Sequence, residues 1–220
     1  MLNAVRQMIH NMLPRPTDEE TLMKEGHREF VGGLWDEMGT LQFDFLVKQG
    51  LKPNHVFLDI ACGSLRAGRL LIPYLEPGNY LGIDKYAEVI EAGKTEEIDD
   101  DVLKFRHPEF VVSDSFEFEK FSKPPDYCIA QSIFTHLRKH EIEHCFTKLS
   151  AFAKPGCRFF ATFGEASIPI PQLTSSHSVR SFFYTRRAME AFGRRSGWES
   201  RYIGNWGHPR KQMIVEYVKR

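Results

Sequence analysis

Long apolar runs are missing from this 220-residue chain, and with them any stretch of membrane-spanning length. Net charge is missing too, since 29 Lys and Arg balance 29 Asp and Glu. A chain without net charge has no global electrostatic attraction for nucleic acid, and neither nucleic acid nor a membrane is expected as a partner. The four cysteines, Cys62, Cys128, Cys145 and Cys157, show no paired spacing, which points to a reduced, cytoplasmic setting. Met1 to Arg6 lack the apolar centre of a secretory leader. A glycine-rich nucleotide loop is also absent. GxGxxG would want glycines near Ala61 and Arg66, and that window holds only Gly63.

What is there is organised around one stretch, Val56-Phe57-Leu58-Asp59-Ile60-Ala61-Cys62-Gly63-Ser64-Leu65-Arg66. An apolar run carries an acid, a small-residue turn follows, and a helix-like segment begins. Strand, small turn, then helix is the nucleoside-binding corner of an open parallel sheet. Small side chains let a ligand approach the backbone, and the free N–H groups of a helix start favour anionic groups. A second apolar strand, Tyr80 to Ile83, ends in Asp84, 21 residues after Gly63. An acid at that position can accept hydrogen bonds from a ribose diol. A third strand, Phe110 to Val112, leads to Ser113-Asp114-Ser115-Phe116. A fourth, Tyr127 to Ala130, leads to Gln131-Ser132-Ile133-Phe134-Thr135-His136-Leu137.

On these residues the chain resembles the class I S-adenosylmethionine-dependent methyltransferases. Asp59-Ile60-Ala61-Cys62-Gly63-Ser64 corresponds to the family's D-x-G-x-G-x turn, with Ala61 in place of a usual glycine. Gly82-Ile83-Asp84, Ser113-Asp114-Ser115 and the segment from Gln131 follow in the family's order. From Gly32 through Leu81 the wording also resembles a bacterial subgroup of small methyltransferases. The resemblance implies a Rossmann-like, doubly wound α/β fold. Its sheet is seven-stranded and mostly parallel, with an antiparallel last strand entering between its neighbours. It implies S-adenosylmethionine as cofactor, held by Asp59, Ala61, Cys62, Gly63, Asp84, Lys85, Asp114, Ser115, Phe116, Gln131 and Ser132. Asp114 falls where the family meets the adenine amine.

The remainder divides into a helical extension or lid over 1–52 and a cofactor-binding domain over 53–220. Residues 1–13 carry apolar side chains at helical spacing, which suits packing on the domain or on a second subunit in a homodimer. Thr17-Asp18-Glu19-Glu20 reads as a capping box opening a helix towards Phe30. Gly32-Gly33-Leu34-Trp35 reads either as a lid hinge or as a helix break with Trp35 as core anchor. The helix after the first strand is expected over Ser64 to Leu75, with Arg66 and Arg69 solvated. Glu96 to Asp101 reads as a solvated acidic helix end. His136, His140 and His144 sit four apart, yet no Cys or carboxylate at ligand spacing completes a tetrahedral set, so no metal is expected. Residues 164–184 read as a substrate-side loop. From Arg180 to Arg220 ten Lys and Arg face three Asp and Glu, which fits a solvated face or attraction of an acidic small molecule.

Methyl transfer needs an acceptor positioned in line and, for a hydroxyl or ammonium acceptor, a base. His136 and His208 are the candidate catalytic residues, because a histidine can be neutral at pH 7. His177, Tyr184 and Glu165 rank second. The expected activity is methyl transfer to an O or N atom of a small molecule. A non-catalytic module binding the cofactor or S-adenosylhomocysteine is the first alternative. A nucleotide-sugar or NAD(P) enzyme is disfavoured by the missing glycines and the antiparallel C-terminal pair. No Asn-Pro-Pro-Tyr motif follows the fourth strand, which weakens nucleobase methylation.

Overall fold

The computed structural model describes residues 26–171 and 181–220. The helix expected over 1–13, the capping box at Thr17 and His177 lie outside the described residues. Within the span of the second expected helix, the described part is α1 (His27–Phe30), a single turn that starts after Gly26, followed by α2 (Trp35–Lys48). Then come β1 (Phe57–Ile60), α3 (Gly68–Tyr74), β2 (Tyr80–Asp84), α4 (Ala87–Glu97), α5 (Asp100–Arg106) and β3 (Glu109–Val112). The second half is β4 (Tyr127–Ala130), α6 (Lys139–Phe152), β5 (Arg158–Glu165), β6 (Phe183–Tyr184), α7 (Arg186–Arg195), β7 (Trp198–Asn205) and β8 (Met213–Lys219).

The sheet runs in the order β3-β2-β1-β4-β5-β8-β7. Strands β3, β2, β1, β4 and β5 are parallel, and β8 lies antiparallel between β5 and β7. The expected seven-stranded, mostly parallel sheet is therefore present. The two-residue β6, pairing Gly164 and Glu165 of β5, adds an eighth strand. Chain order reverses between β1 and β4, so the corner after β1 lies at the switch point where open α/β sheets bind ligands.

Helices cover both faces, so the central strands β1 and β4 are buried at every position. Alternation along β5 divides the core. Phe159, Ala161 and Phe163 pack with α6 and α7 residues such as Phe146 and Phe192, while Phe160 packs with Met38, Leu46 and Leu71 of α2 and α3.

Three elements differ from expectation. Helix α3 begins at Gly68, not near Ser64, because Ala61, Gly63 and Leu65 hold φ of 60°, 54° and 65° and keep the chain in a turn. The acidic run spans two helix ends: Glu96 and Glu97 close α4, while Asp99 is the N-cap of α5 and Asp100 and Asp101 lie in its first turn, where the helix dipole favours negative charge. Strand β5 runs on to Glu165, shortening the expected loop.

Helix α4 approaches the β1 turn through Gly93, where an added Cβ would lie 2.5 Å from the carbonyl carbon and oxygen of Ser64. Gly93→Ala is therefore expected to destabilise the protein by about 1–3 kcal/mol in urea titration, although alanine is the better helix former. Equal or higher stability would show that α4 can move away from the turn.

Candidate active site

The turn after β1 holds its shape through backbone and acid together. Cys62 N–H donates to Ile83 O at 3.0 Å, and Gly63 N–H donates to Asp84 Oδ2 at 2.9 Å. Asp84 Oδ1 accepts from Tyr86 N–H at 3.1 Å. The acid ending β2 thus ties the small-residue turn to the next helix. Gly63 has no alternative here: an added Cβ would lie 2.8 Å from Val31 Cγ1.

Asp59 sits beneath the turn, buried, accepting from Tyr80 O–H at 2.9 Å. Burial raises its pKa to about 6, Tyr80 opposes the shift, Asp84 adds to it and Arg66 opposes it. A raised acid pKa means the folded protein binds the proton more tightly than the unfolded chain does. Asp59 therefore favours folding below about pH 4, and that contribution is lost as pH rises through about 6. Asp59→Asn in the free protein is expected to stabilise at pH 7 by up to about 3 kcal/mol, a gain that fades towards pH 4. A gain independent of pH would remove Asp59 as its source.

Above the turn lies a strap, residues 26–34. Gly32, Gly33 and Leu34 take φ of 93°, 60° and 49°, three successive left-handed residues. Ser64 O–H donates to His27 O at 3.2 Å, and Phe30 meets Tyr86 edge-on at 5.5 Å. Glu97 of α4 holds Arg28 by two contacts of 2.6 and 2.9 Å and lies 2.6 Å from His27 Nε2. Arg210 Nη2 donates to Gly32 O at 2.5 Å. Trp35 is buried at the foot of the strap, so hinge geometry and core anchor occur together.

The expectation of a solvated Arg66 is overturned. It is 9% exposed, and its guanidinium donates to Val31 O at 3.2 Å, Gly33 O at 2.9 Å and Gln131 Oε1 at 2.9 Å. The late start of α3 is the reason, because Arg66 stands on the turn under the strap and not on an outer helix face. Burial, then Arg210, lowers its pKa to about 10, which leaves it cationic at pH 7. Arg69 is paired with Asp36 at 2.7 Å, half-buried rather than solvated.

Arg66 orients the amide of Gln131. Gln131 Nε2 then donates to Ser132 Oγ at 2.7 Å and lies 3.1 Å from His208 Nε2. Ser132, at φ 62°, is held by its N–H on Thr162 Oγ1 at 2.7 Å, and Gln212 bonds both side chains. His208 is 5% exposed, and its Nδ1 accepts from Arg210 N–H at 3.0 Å. Burial, then Arg210 and Arg66, lower its pKa to about 4. It is neutral at pH 7, and its one acceptor nitrogen is Nδ1 when Arg210 N–H donates there, so Nε2 then carries the ring proton.

The remaining candidates line the same edge. Lys85 lies over the Tyr86 ring at 4.2 Å. Asp114 is exposed after β3; Ser115 N–H donates to Ser113 Oγ at 3.2 Å. The Phe116 ring is 5.9 Å from Phe118 and 6.3 Å from His144. His136 is half-buried just past β4, its N–H on Ile133 O at 2.8 Å. Glu165 accepts from Tyr202 O–H at 2.8 Å, and Tyr184 O–H donates to Leu137 O at 2.5 Å. His140 is exposed, His144 Nε2 lies 3.2 Å from Ser115 O, and no cluster among the described residues could hold a metal ion. All four cysteines are buried free thiols. No helix among the described residues is long and apolar enough to cross a membrane.

Residues 58–159, which run from β1 into β5 and contain the whole corner, match the family described as a methyltransferase domain. That stretch is a methyltransferase domain. Magnesium protoporphyrin IX methyltransferase from Synechocystis, solved with S-adenosylmethionine, shares the fold at a TM-score of 0.63 and 15% identity, over 96% of this chain and 88% of that one. A TehB-like methyltransferase from Corynebacterium glutamicum does so at 0.61 and 16%, over 92% and 98%. The glycopeptide N-methyltransferase MtfA, solved with S-adenosylmethionine, does so at 0.63 and 15%, over 83% and 94%. At these identities the likeness is one of fold.

S-adenosylmethionine is bound in two of these solved structures. The residues present fit it: an acid ends β2, the turn at Gly63 tolerates no side chain, and a buried arginine has an unpaired Nε. Sequence reasoning missed Arg66, Arg210, Thr162 and Gln212 as residues of the site. Arg66 had a readable signal, an arginine directly after a small-residue turn. The others had none.

Proposed function

We propose that this methyltransferase transfers a methyl group to an O or N atom of a small, acidic molecule. Residues 53–220 form the catalytic domain and 1–52 its lid. The observation that carries the reading is Asp84, which ends β2 and grips the Gly63 amide of the turn, the position from which an acid can accept from a ribose diol. Ala61, Cys62 and Gly63 lie under the methionine part. Asp114, Ser115 and Phe116 meet the adenine, and Lys85 flanks the nucleoside. Gln131 and Ser132 border the reacting edge, with Asp59 supporting the turn from beneath.

When bound, S-adenosylmethionine supplies a methyl group on a sulfonium, whose loss leaves a neutral thioether. No acid is needed for that leaving group, so the chain's own work is positioning and proton removal. His136 stands past β4, where an acceptor would sit, and takes the acceptor's proton. His208 is a poor base with a pKa of about 4, so its task is to hold Gln131 and the β7–β8 loop. The acidic acceptor follows from the excess of ten Lys and Arg over three Asp and Glu in residues 180–220.

Calorimetric titration with S-adenosylmethionine, S-adenosylhomocysteine and NADPH tests the cofactor assignment, and turnover against neutral, basic and acidic metabolites tests the acceptor. Micromolar binding of the two sulfur ligands with transfer to carboxylates or phosphates is expected. Transfer to neutral or basic acceptors alone would overturn the acidic substrate, and tight cofactor binding with no transfer to any acceptor would favour a binding module.

A further inference from the structure

We propose that a groove between α7, the start of α6 and the segment after β5 binds a small organic anion with an apolar body. It shares no lining residue with the cofactor corner. The cavity is about 430 Å³, within the roughly 300–1,000 Å³ range of small-molecule sites.

Its floor is the apolar stripe of α7, where Ala188, Ala191 and Phe192 recur at helical spacing. Its wall includes Phe183, 45% exposed, and Ile170, 50% exposed, apolar surface that a ligand would cover. Its charged lining is of one sign: Lys139, Arg187 and Arg195, with no Asp or Glu among the lining residues described. Glu143 pairs with Arg195 and offsets part of the rim charge, while Glu190 holds Arg186 at 2.8 Å. The groove also meets the N-terminal end of α7, whose dipole adds positive potential. Apolar floor and cationic rim together select a carboxylate or sulfonate carried on a chain or ring. Cations without the floor would attract any anion, and the floor without the cations would attract any hydrocarbon.

The test uses the full chain, with anilinonaphthalene sulfonate fluorescence as reporter and decanoate as competitor. Decanoate is expected to displace the dye where decyltrimethylammonium at the same concentration does not. Arg187→Glu, which reverses a rim charge, and Ala191→Trp, which fills the floor, should each lower decanoate affinity by about tenfold or more. Both variants should leave S-adenosylmethionine affinity unchanged in calorimetry, which separates loss of this site from loss of the fold. Displacement by the cationic surfactant as readily as by decanoate would overturn the proposal. So would unchanged decanoate affinity in both variants, or binding to phosphatidylglycerol vesicles without binding to decanoate.

Discussion

Asp84→Ala lowers S-adenosylmethionine affinity by about thirtyfold or more, the loss expected from two charge-assisted hydrogen bonds of roughly 1.5–3 kcal/mol each, partly offset by water. Two effects add. The substitution removes the acceptor proposed for the ribose diol. It also frees the Gly63 and Tyr86 amides, whose bonds of 2.9 and 3.1 Å hold the turn to β2 and α4. Asp84→Asn separates them. An amide oxygen can still hold Gly63 N–H, but its NH2 group would oppose the Tyr86 N–H, so an intermediate loss is expected. Calorimetry on the three proteins, with circular dichroism to confirm folding, gives the answer. Unchanged affinity in a folded Asp84→Ala protein would remove Asp84 from the cofactor site.

Arg66→Ala should cost about 3 kcal/mol of stability and weaken cofactor binding in parallel. The guanidinium serves three acceptors, Val31 O, Gly33 O and Gln131 Oε1, and its removal leaves them without that donor inside a covered site. Strap and Gln131 are thus held by one side chain. Arg66→Lys should rescue little, because a single ammonium on a flexible stem cannot span the strap carbonyls and the Gln131 amide as a planar fork does. Urea midpoints and S-adenosylmethionine titrations on both variants provide the check. If Arg66→Ala kept wild-type stability and affinity, the strap would be held by its other contacts, those of Arg210 and Glu97.

The parallel sheet was legible because its strands announce themselves locally. Tyr80 to Ile83 and Tyr127 to Ala130 are short apolar runs bounded by turns, each a strand within a residue of its expected limits, and the apolar run from Val56 holds β1. The acid ending β2 was legible for the same reason. The start of α3 was not, because Leu65 at φ 65° is a conformation its side chain does not advertise. Helix α5 was hidden in an acidic run, where charge masked the caps.

What the sequence determined alone was therefore where the central strands and the small-residue turn lie, since these depend on side-chain periodicity and on neighbours a few residues apart; the class of fold came from resemblance to a known family. What only the tertiary structure decided was the company those residues keep. Arg66 reaches strap carbonyls 33 and 35 positions away, Gln131 meets His208 across 77, and Ser132 meets Gln212 across 80. Contacts across such separations leave no period in the chain. They arise when parallel strands bring their carboxyl ends together at one edge, and burial there turned an arginine expected in water into the centre of the site and lowered the basicity of His208.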